Sequence, residues 1–260
     1  MMITSKDNDM IKQVSKLLSS ASYRRETGNF VAEGARLCSD GVLSGAKTDL
    51  FLYTQRAKEK YPEEFAQVMA AAKKSCEISE PLLKKISDTN SPQGFLCVFR
   101  TLDKKSLSYK IKKKERYAGL ENIQDPSNMG TILRTAEALG INGVIVSKDC
   151  CDIYSPKVVR GSMGAVFRVS VITAENFTDY IAQLTKEGIL TYASTPRNAE
   201  NIETVDFSEG GVMLIGNEGN GLKEETIRVC SGRVGIEMKG RAESLNAAAA
   251  AAILLYRFQG

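Results

Sequence analysis

The sequence predicts an α/β protein with a C-terminal domain built on a mainly parallel sheet and, before it, a smaller α/β domain. Three observations carry this expectation. Strand-like apolar runs alternate with helical periodicities from Tyr117 to Phe258, the pattern of strands joined by covering helices. Glycine is unevenly shared, with 5 of the 21 before residue 101 and 16 after residue 115, so the tight turns belong to the second half. Between them, residues 101–115 carry six Lys and Arg against two Asp and Glu. Composition changes across that basic stretch, so the domains are set at 1–100, a linker at 101–115, and 116–260.

The elements follow in order. Helices are expected over Asp9–Leu18, Gly34–Leu43, Glu63–Lys73 and Ser79–Ile86, the last with a serine cap and an early proline. Strands are expected at Asn29–Ala32, Asp49–Tyr53 and Phe95–Phe99. In the second half Tyr117–Leu120 is strand-like. Ser127 or Asn128 is expected to cap a helix whose apolar Met129, Ile132, Leu133, Ala136 and Leu139 share one face, with Gly140 as the stop. Strand Gly143–Ser147, helix Pro156–Met163, strand Arg168–Ile172, helix Phe177–Lys186 and strand Ile189–Ala193 come next. Strand Gly211–Ile215, helix Lys223–Val229, strand Arg233–Ile236 and helix Glu243–Phe258 complete the series.

The chain has no histidine, which excludes Ser-His-Asp and Cys-His nucleophiles and every zinc site that needs an imidazole. Its six cysteines form no CxxC pair and are expected as reduced, mostly buried thiols. The most apolar stretch, Ala247–Leu255, is about half the length a membrane span needs. The polar first residues lack a signal-peptide core, so a cytoplasmic protein without membrane contact is expected. The first domain and linker are basic and the second domain mildly acidic, which fits a polyanionic partner such as RNA or DNA; a solvated linker is the alternative.

Three segments could carry chemistry. Leu214-Ile215-Gly216-Asn217-Glu218-Gly219-Asn220-Gly221-Leu222 follows an apolar strand and opens a helix. Its glycines run GxxGxG rather than GxGxxG, Leu222 interrupts a Walker pattern, and Glu218 is a poor neighbour for pyrophosphate, so a phosphate-free ligand fits better. Read alone, the segment is equally a turn. Glu237 to Asn246 joins a strand to the alanine-rich last helix, where capping accounts for one of Ser244 and Asn246 but not readily for both. Asn122 to Arg134 places an Asn at a helix start and an Arg off the apolar stripe; read alone, Arg134 is a solvated surface residue.

Taken in order, these three segments resemble the motifs of the SpoU/TrmH family of S-adenosylmethionine-dependent RNA 2′-O-ribose methyltransferases, within the SPOUT superfamily. Val159-Arg160-Gly161-Ser162-Met163-Gly164-Ala165 resembles the family's intervening segment. Upstream, Tyr23 to Gly34 and Ile86 to Gly94 resemble the substrate-binding domain often joined to these enzymes. The resemblance implies a C-terminal trefoil knot, which general topology opposes, and a homodimer. It implies transfer of a methyl group to a ribose 2′-hydroxyl, with S-adenosylhomocysteine leaving and no metal. Large-subunit (23S) ribosomal RNA is the expected target, with transfer RNA as runner-up and a non-catalytic RNA-binding or ribosome-assembly protein as the alternative of another class.

By the same carry-over, Arg134, Asn128, Glu218, Ser244 and Asn246 form the catalytic set. Thr195, Leu214, Gly216, Asn217, Gly219, Ile236, Met238, Ser244 and Leu245 contact the cofactor, mainly through backbone. Arg24, Arg25, Glu33, Lys112, Lys113 and Lys114 meet the RNA. Deprotonating a guanidinium at neutral pH costs on the order of 8 kcal/mol, so Arg134 is expected to hold a phosphate or the developing alkoxide rather than act as a base.

Overall fold

The computed structural model describes residues 2–102, 104–105 and 110–259. Part of the expected linker, residue 103 and residues 106–109, lies outside the described residues. The chain divides into two compact units, one of Met1–Leu102 with Asp152–Phe167, the other of Asp103–Cys151 with Arg168–Gly260. The break falls near the start of the stretch expected as a linker, residues 101–115, and Lys104–Lys105 of that stretch forms a strand of the second unit instead. The return of residues 152–167 to the first unit corrects the expectation of an uninterrupted second domain.

The first unit opens with α1 (Asp9–Ser19), capped by the Asn8 side chain, which accepts from the Met10 N–H and buries Ile11, Val14 and Leu17 along one stripe. After α2 (Ala21–Thr27), β1 (Asn29–Glu33), α3 (Ala35–Leu43), β2 (Thr48–Tyr53), α4 (Gln55–Lys60), α5 (Pro62–Ala71), β3 (Ser75–Glu77), α6 (Glu80–Ile86) and β4 (Phe95–Arg100) follow. The sheet runs β1-β4-β2-β3, antiparallel except between β2 and β3. Helices α2 and α4 and strand β3 were not expected; each is six or seven residues or fewer, too short for a periodicity to register.

The second unit begins with β5 (Lys104–Lys105), β6 (Arg116–Leu120), α7 (Pro126–Ala138) and β7 (Gly143–Ser147). The chain then returns to the first unit for α8 (Pro156–Gly161) and α9 (Ala165–Arg168). Packing explains the return. The Phe167 ring lies 5.0 Å from Phe99, Tyr154 lies 4.5 Å from Phe30, and Arg24 Nε is 2.7 Å from the Asp152 carboxylate. Such aromatic pairs contribute about 0.5–1.5 kcal/mol each beyond burial. The second unit closes with β8 (Val171–Ala174), α10 (Phe177–Lys186), β9 (Thr191–Ser194), β10 (Glu200–Asn201), β11 (Gly211–Ile215), α11 (Glu224–Val229), β12 (Gly232–Gly235) and α12 (Ala247–Phe258).

Its eight-stranded sheet runs β10-β12-β9-β11-β6-β7-β8-β5, and every neighbouring pair is parallel. Strands β7 and β11 are buried at every position, as a sheet covered on both faces requires. Several expected boundaries move, and the helix placed at 156–163 ends at Gly161. The strand placed at 168–172 lies at 171–174, because residues 165–168 are helical. The strand placed at 189–193 begins at Thr191. The last helix begins at Ala247, with Asn246 as its cap, instead of at Glu243. Among the described residues no helix is long and apolar enough to cross a membrane.

Candidate active site

Parallel strands deliver their carboxyl ends to one edge of the sheet, where ligands of such folds bind. Strands β6 and β11 end in register, Leu120 opposite Ile215, so the loops that follow them leave side by side. Glu218 ties the two together. Its Oε1 accepts from the Asp125 N–H and from Asn128 Nδ2, both at 3.0 Å. Its Oε2 accepts from the Gln124 N–H at 3.2 Å and Asn217 Nδ2 at 3.3 Å. Desolvation pushes the carboxyl up, but the Asn128 amide and the backbone N–H groups of Asp125 and Gln124 outweigh it and hold Glu218 below its ordinary value.

Asn128 continues the chain of hydrogen bonds. Only 6% exposed, it donates to Glu218 and accepts from Asn246 Nδ2 at 3.0 Å. Neither Ser127 nor Asn128 caps α7. Asp125 does, accepting from the Ser127 N–H at 2.7 Å with Pro126 in the first turn, which leaves Asn128 free for this link. Asn246 works twice: its Oδ1 accepts from the Ala248 and Ala249 N–H groups at 2.9 and 3.2 Å, capping α12, while its Nδ2 reaches Asn128. One residue from each of the three sequence segments thus stands in one line, Glu218 to Asn128 to Asn246.

The glycine-rich loop is stapled within itself. Asn217 Oδ1 accepts from the Gly219 and Asn220 N–H groups, both at 3.0 Å, and Asn217 and Gly221 exchange backbone bonds at 3.0 and 2.9 Å. A Cβ on Gly216 would stand 2.1 Å from Gly221 C and Leu222 N, so the turn closes only on glycine. The residue that sequence reasoning missed is Glu121. Fully buried after β6, it accepts from the Lys223 N–H at 2.9 Å and Thr226 Oγ1 at 2.7 Å, anchoring α11 beside the same loop. The available signal was a lone carboxylate directly after an apolar strand.

Beside this line lies a largely apolar cleft of about 110 Å³ lined by Thr195, Ile236, Met238, Ser244 and Leu245, with Val234 and Leu254 behind them. Five of the expected cofactor contacts meet here. Leu214, Gly216, Asn217 and Gly219 do not line it, and Leu214 is fully buried within its strand. The cleft is smaller than the roughly 300 Å³ at which small-molecule sites begin. Its wall of residues 236–245 makes no backbone hydrogen bond among the described residues, which leaves those amides free for a ligand. A Cβ on Gly235 would stand 2.7 Å from the Thr195 carbonyl oxygen, so β12 and the Thr195 loop approach closely only through glycine.

Arg134 stands apart. It is exposed on α7, has no hydrogen bond or ion pair among the described residues, and faces a second cleft of about 800 Å³ between α7 and α12 with Thr131, Leu139, Ile253, Tyr256 and Arg257. Ser244 is exposed on the rim of the smaller cleft. Two of the expected RNA contacts need correction. Arg24 is 5% exposed, bound to Asp152 and to the Leu17 carbonyl, so burial keeps it from a phosphate. The Glu33 carboxylate accepts from the Ser87 and Thr89 hydroxyls and the Asp88 N–H, bracing the 87–93 loop. Arg25, Lys112, Lys113 and Lys114 are exposed, Lys112 pairing with Glu115 at 3.0 Å.

Comparison with known proteins adds the following. Residues 115–256 match the SpoU rRNA Methylase family and residues 8–97 an MRM3-like substrate binding domain. The 23S rRNA (guanosine(2553)-2′-O)-methyltransferase RlmP of Bacillus subtilis is 26% identical over 99% of both chains. The 23S rRNA (uridine(2479)-2′-O)-methyltransferase of Streptomyces viridochromogenes is 29% identical over 98% of this chain and 90% of its own. A crystal structure of an AdoMet-bound rRNA methyltransferase from Sinorhizobium meliloti superposes with a TM-score of 0.89 at 30% identity, covering 100% of this chain and 97% of that one.

Proposed function

The chain belongs to the SpoU rRNA methylase family, and on that footing we propose that it transfers a methyl group from S-adenosylmethionine to a ribose 2′-hydroxyl of large-subunit ribosomal RNA. The observation that carries this reading is the hydrogen-bonded line from Glu218 through Asn128 to Asn246. It brings three loops to the carboxyl edge of the sheet, beside a cleft with apolar walls and unpaired backbone amides. That donor set suits an adenine held by its edge between aliphatic side chains and leaves no phosphate-binding cation in the cleft. Thr195, Ile236, Met238 and Leu245 would hold S-adenosylmethionine there, which supplies an electrophilic methyl on sulfur.

The 2′-oxygen forms the new O–CH₃ bond as the C–S bond breaks, S-adenosylhomocysteine leaves without needing an acid, and the hydroxyl proton passes to water or an RNA phosphate. The protein's share is orientation, which can supply roughly 7–11 kcal/mol. Asn128 and Asn246 present amides whose direction Glu218 fixes, and Ser244 offers a hydroxyl at the rim. Arg134, a fork of five donors with no acceptor, holds the target phosphate or the developing alkoxide. Its isolation is explained by a homodimer in which a second copy covers the α7–α12 cleft, where Ile253 and Tyr256 are 39% and 64% exposed. The C-terminal stretch is read as the family's trefoil knot. Arg25 and Lys112 to Lys114 are the cations assigned to the RNA backbone.

The test is incubation of the full chain with ribosomal RNA and S-adenosylmethionine tritiated on the methyl, followed by alkaline hydrolysis. Label in alkali-resistant dinucleotides is expected, because a methylated 2′-oxygen cannot assist cleavage; label in mononucleotides would place the methyl on a base and overturn the reading.

A further inference from the structure

The first unit holds a polar cleft apart from the site described above. It measures about 460 Å³ and lies between the start of α4, the first turn of α6 and the 87–93 loop. Arg56, Lys60 and Lys84 stand on its rim, all exposed. Neither Arg56 nor Lys84 has an ion-pair partner among the described residues, and Lys60 Nζ lies 5.1 Å from the centre of the Tyr61 ring, itself part of the lining. Asn90, Ser91 and Gln93 supply amides and a hydroxyl from the loop. That loop is held in place by Glu33 and by Gln93 Oε1, which accepts from the Ala35 N–H at 3.0 Å.

Inside this basic rim is a group of the opposite sign. Glu80 Oε1 is buried and has no hydrogen-bond partner among the described residues. The N-terminus of α6 makes a negative charge tolerable at that position but leaves the oxygen unsatisfied, and a buried acceptor without a donor costs free energy. A phosphate cannot supply the donor, since the carboxylate repels it. A nucleotide can, if its base enters and its phosphates stay on the rim. Guanine presents N1–H and the N2 amino group side by side, matching the two oxygens of a carboxylate. Uracil presents one N–H between two carbonyls, which the carboxylate rejects. Stacking on an aromatic ring and reading the Watson–Crick edge are the usual modes by which proteins take unpaired bases.

We propose that this cleft is a subsite for an unpaired guanine of the RNA, with the base edge on Glu80 and the flanking phosphates on Arg56, Lys60 and Lys84. The assignment rests on the reading that the chain acts on RNA, and locates where its first unit selects the substrate.

The experiment is fluorescence anisotropy of the full chain with labelled UUGUU and UUUUU at about 50 mM salt, where phosphate contacts are strong. The expected result is at least fivefold tighter binding of UUGUU. Glu80→Gln is expected to reduce that preference below twofold with little change for UUUUU. Arg56→Ala with Lys84→Ala is expected to weaken both oligonucleotides and lower the salt slope by about 1.4, at roughly 0.7 per single-strand phosphate contact. Absence of a guanine preference, or its survival in Glu80→Gln, would overturn the subsite. The same preparations are assayed for methyl transfer. Transfer without a Glu80-dependent preference removes the subsite and leaves the function; a Glu80-dependent preference without transfer removes the function and leaves the subsite. Should Glu80→Gln melt early, inosine in place of guanine in the same oligonucleotide tests the N2 contact on the unaltered chain: a preference reduced at least twofold supports it, an unchanged one overturns it.

Discussion

Asn128 is the residue on which the site turns, because it alone touches both of the other motif side chains. Asn128→Ala leaves the Asn246 amino group without its acceptor and removes one of the two donors to Glu218 Oε1, at about 1–3 kcal/mol of stability, and is expected to lower methyl transfer by at least a hundredfold; urea denaturation and a single-turnover assay measure the two. Arg134 gives the opposite pattern. Exposed and unpartnered, it is expected on substitution by Ala to change stability by less than about 0.5 kcal/mol while transfer falls by a similar factor. Calorimetry with S-adenosylmethionine should then show near-normal binding heat. The depressed Glu218 carboxyl sets a pH dependence. Its folded value lies below the ordinary 4.5, so the unfolded chain binds the proton more readily and the stabilisation is complete above about that pH. It is lost as pH falls through the lowered value, and the stability difference between the wild type and Glu218→Gln should narrow over the same window in urea melts.

At the scale of elements, α12 shows how one cap serves two purposes. Asn246→Asp keeps the oxygen that caps Ala248 and Ala249 but replaces the amino group that Asn128 accepts. Helix stability is therefore expected to hold within about 0.5–1 kcal/mol of the wild type, since Asn and Asp cap similarly, while transfer falls; circular dichroism melts beside the activity assay separate the two. Much of this was legible in the sequence. The three polar segments, the strand before each, and Asn246 at the last helix start all stood out because helix caps and glycine turns have local chemistry. What stayed hidden was non-local. Asp125 before Pro126 was itself a local cap signal, passed over for Ser127 and Asn128, whereas nothing near Glu121 shows the turn of α11 that it holds. The short α2 and α4 lacked a full period, and the return of residues 152–167 depends on Phe30 and Phe99, far earlier in the chain.

For the whole molecule, the sequence reading set Arg24 against the RNA, yet its partner Asp152 lies 128 residues away. A guanidinium read as an RNA contact is in fact an internal tie. If the α7–α12 cleft is covered by a second copy, Tyr256→Arg with Ile253→Asp should convert a dimer into a monomer by sedimentation and reduce transfer at least tenfold. The most direct measurement is a map of ribose methylation across total RNA incubated with S-adenosylmethionine and either the wild type or Asn128→Ala. The account predicts one new methylated ribose in large-subunit ribosomal RNA with the wild type and none with the variant; no new site with the wild type, or one that the variant makes equally well, would contradict it.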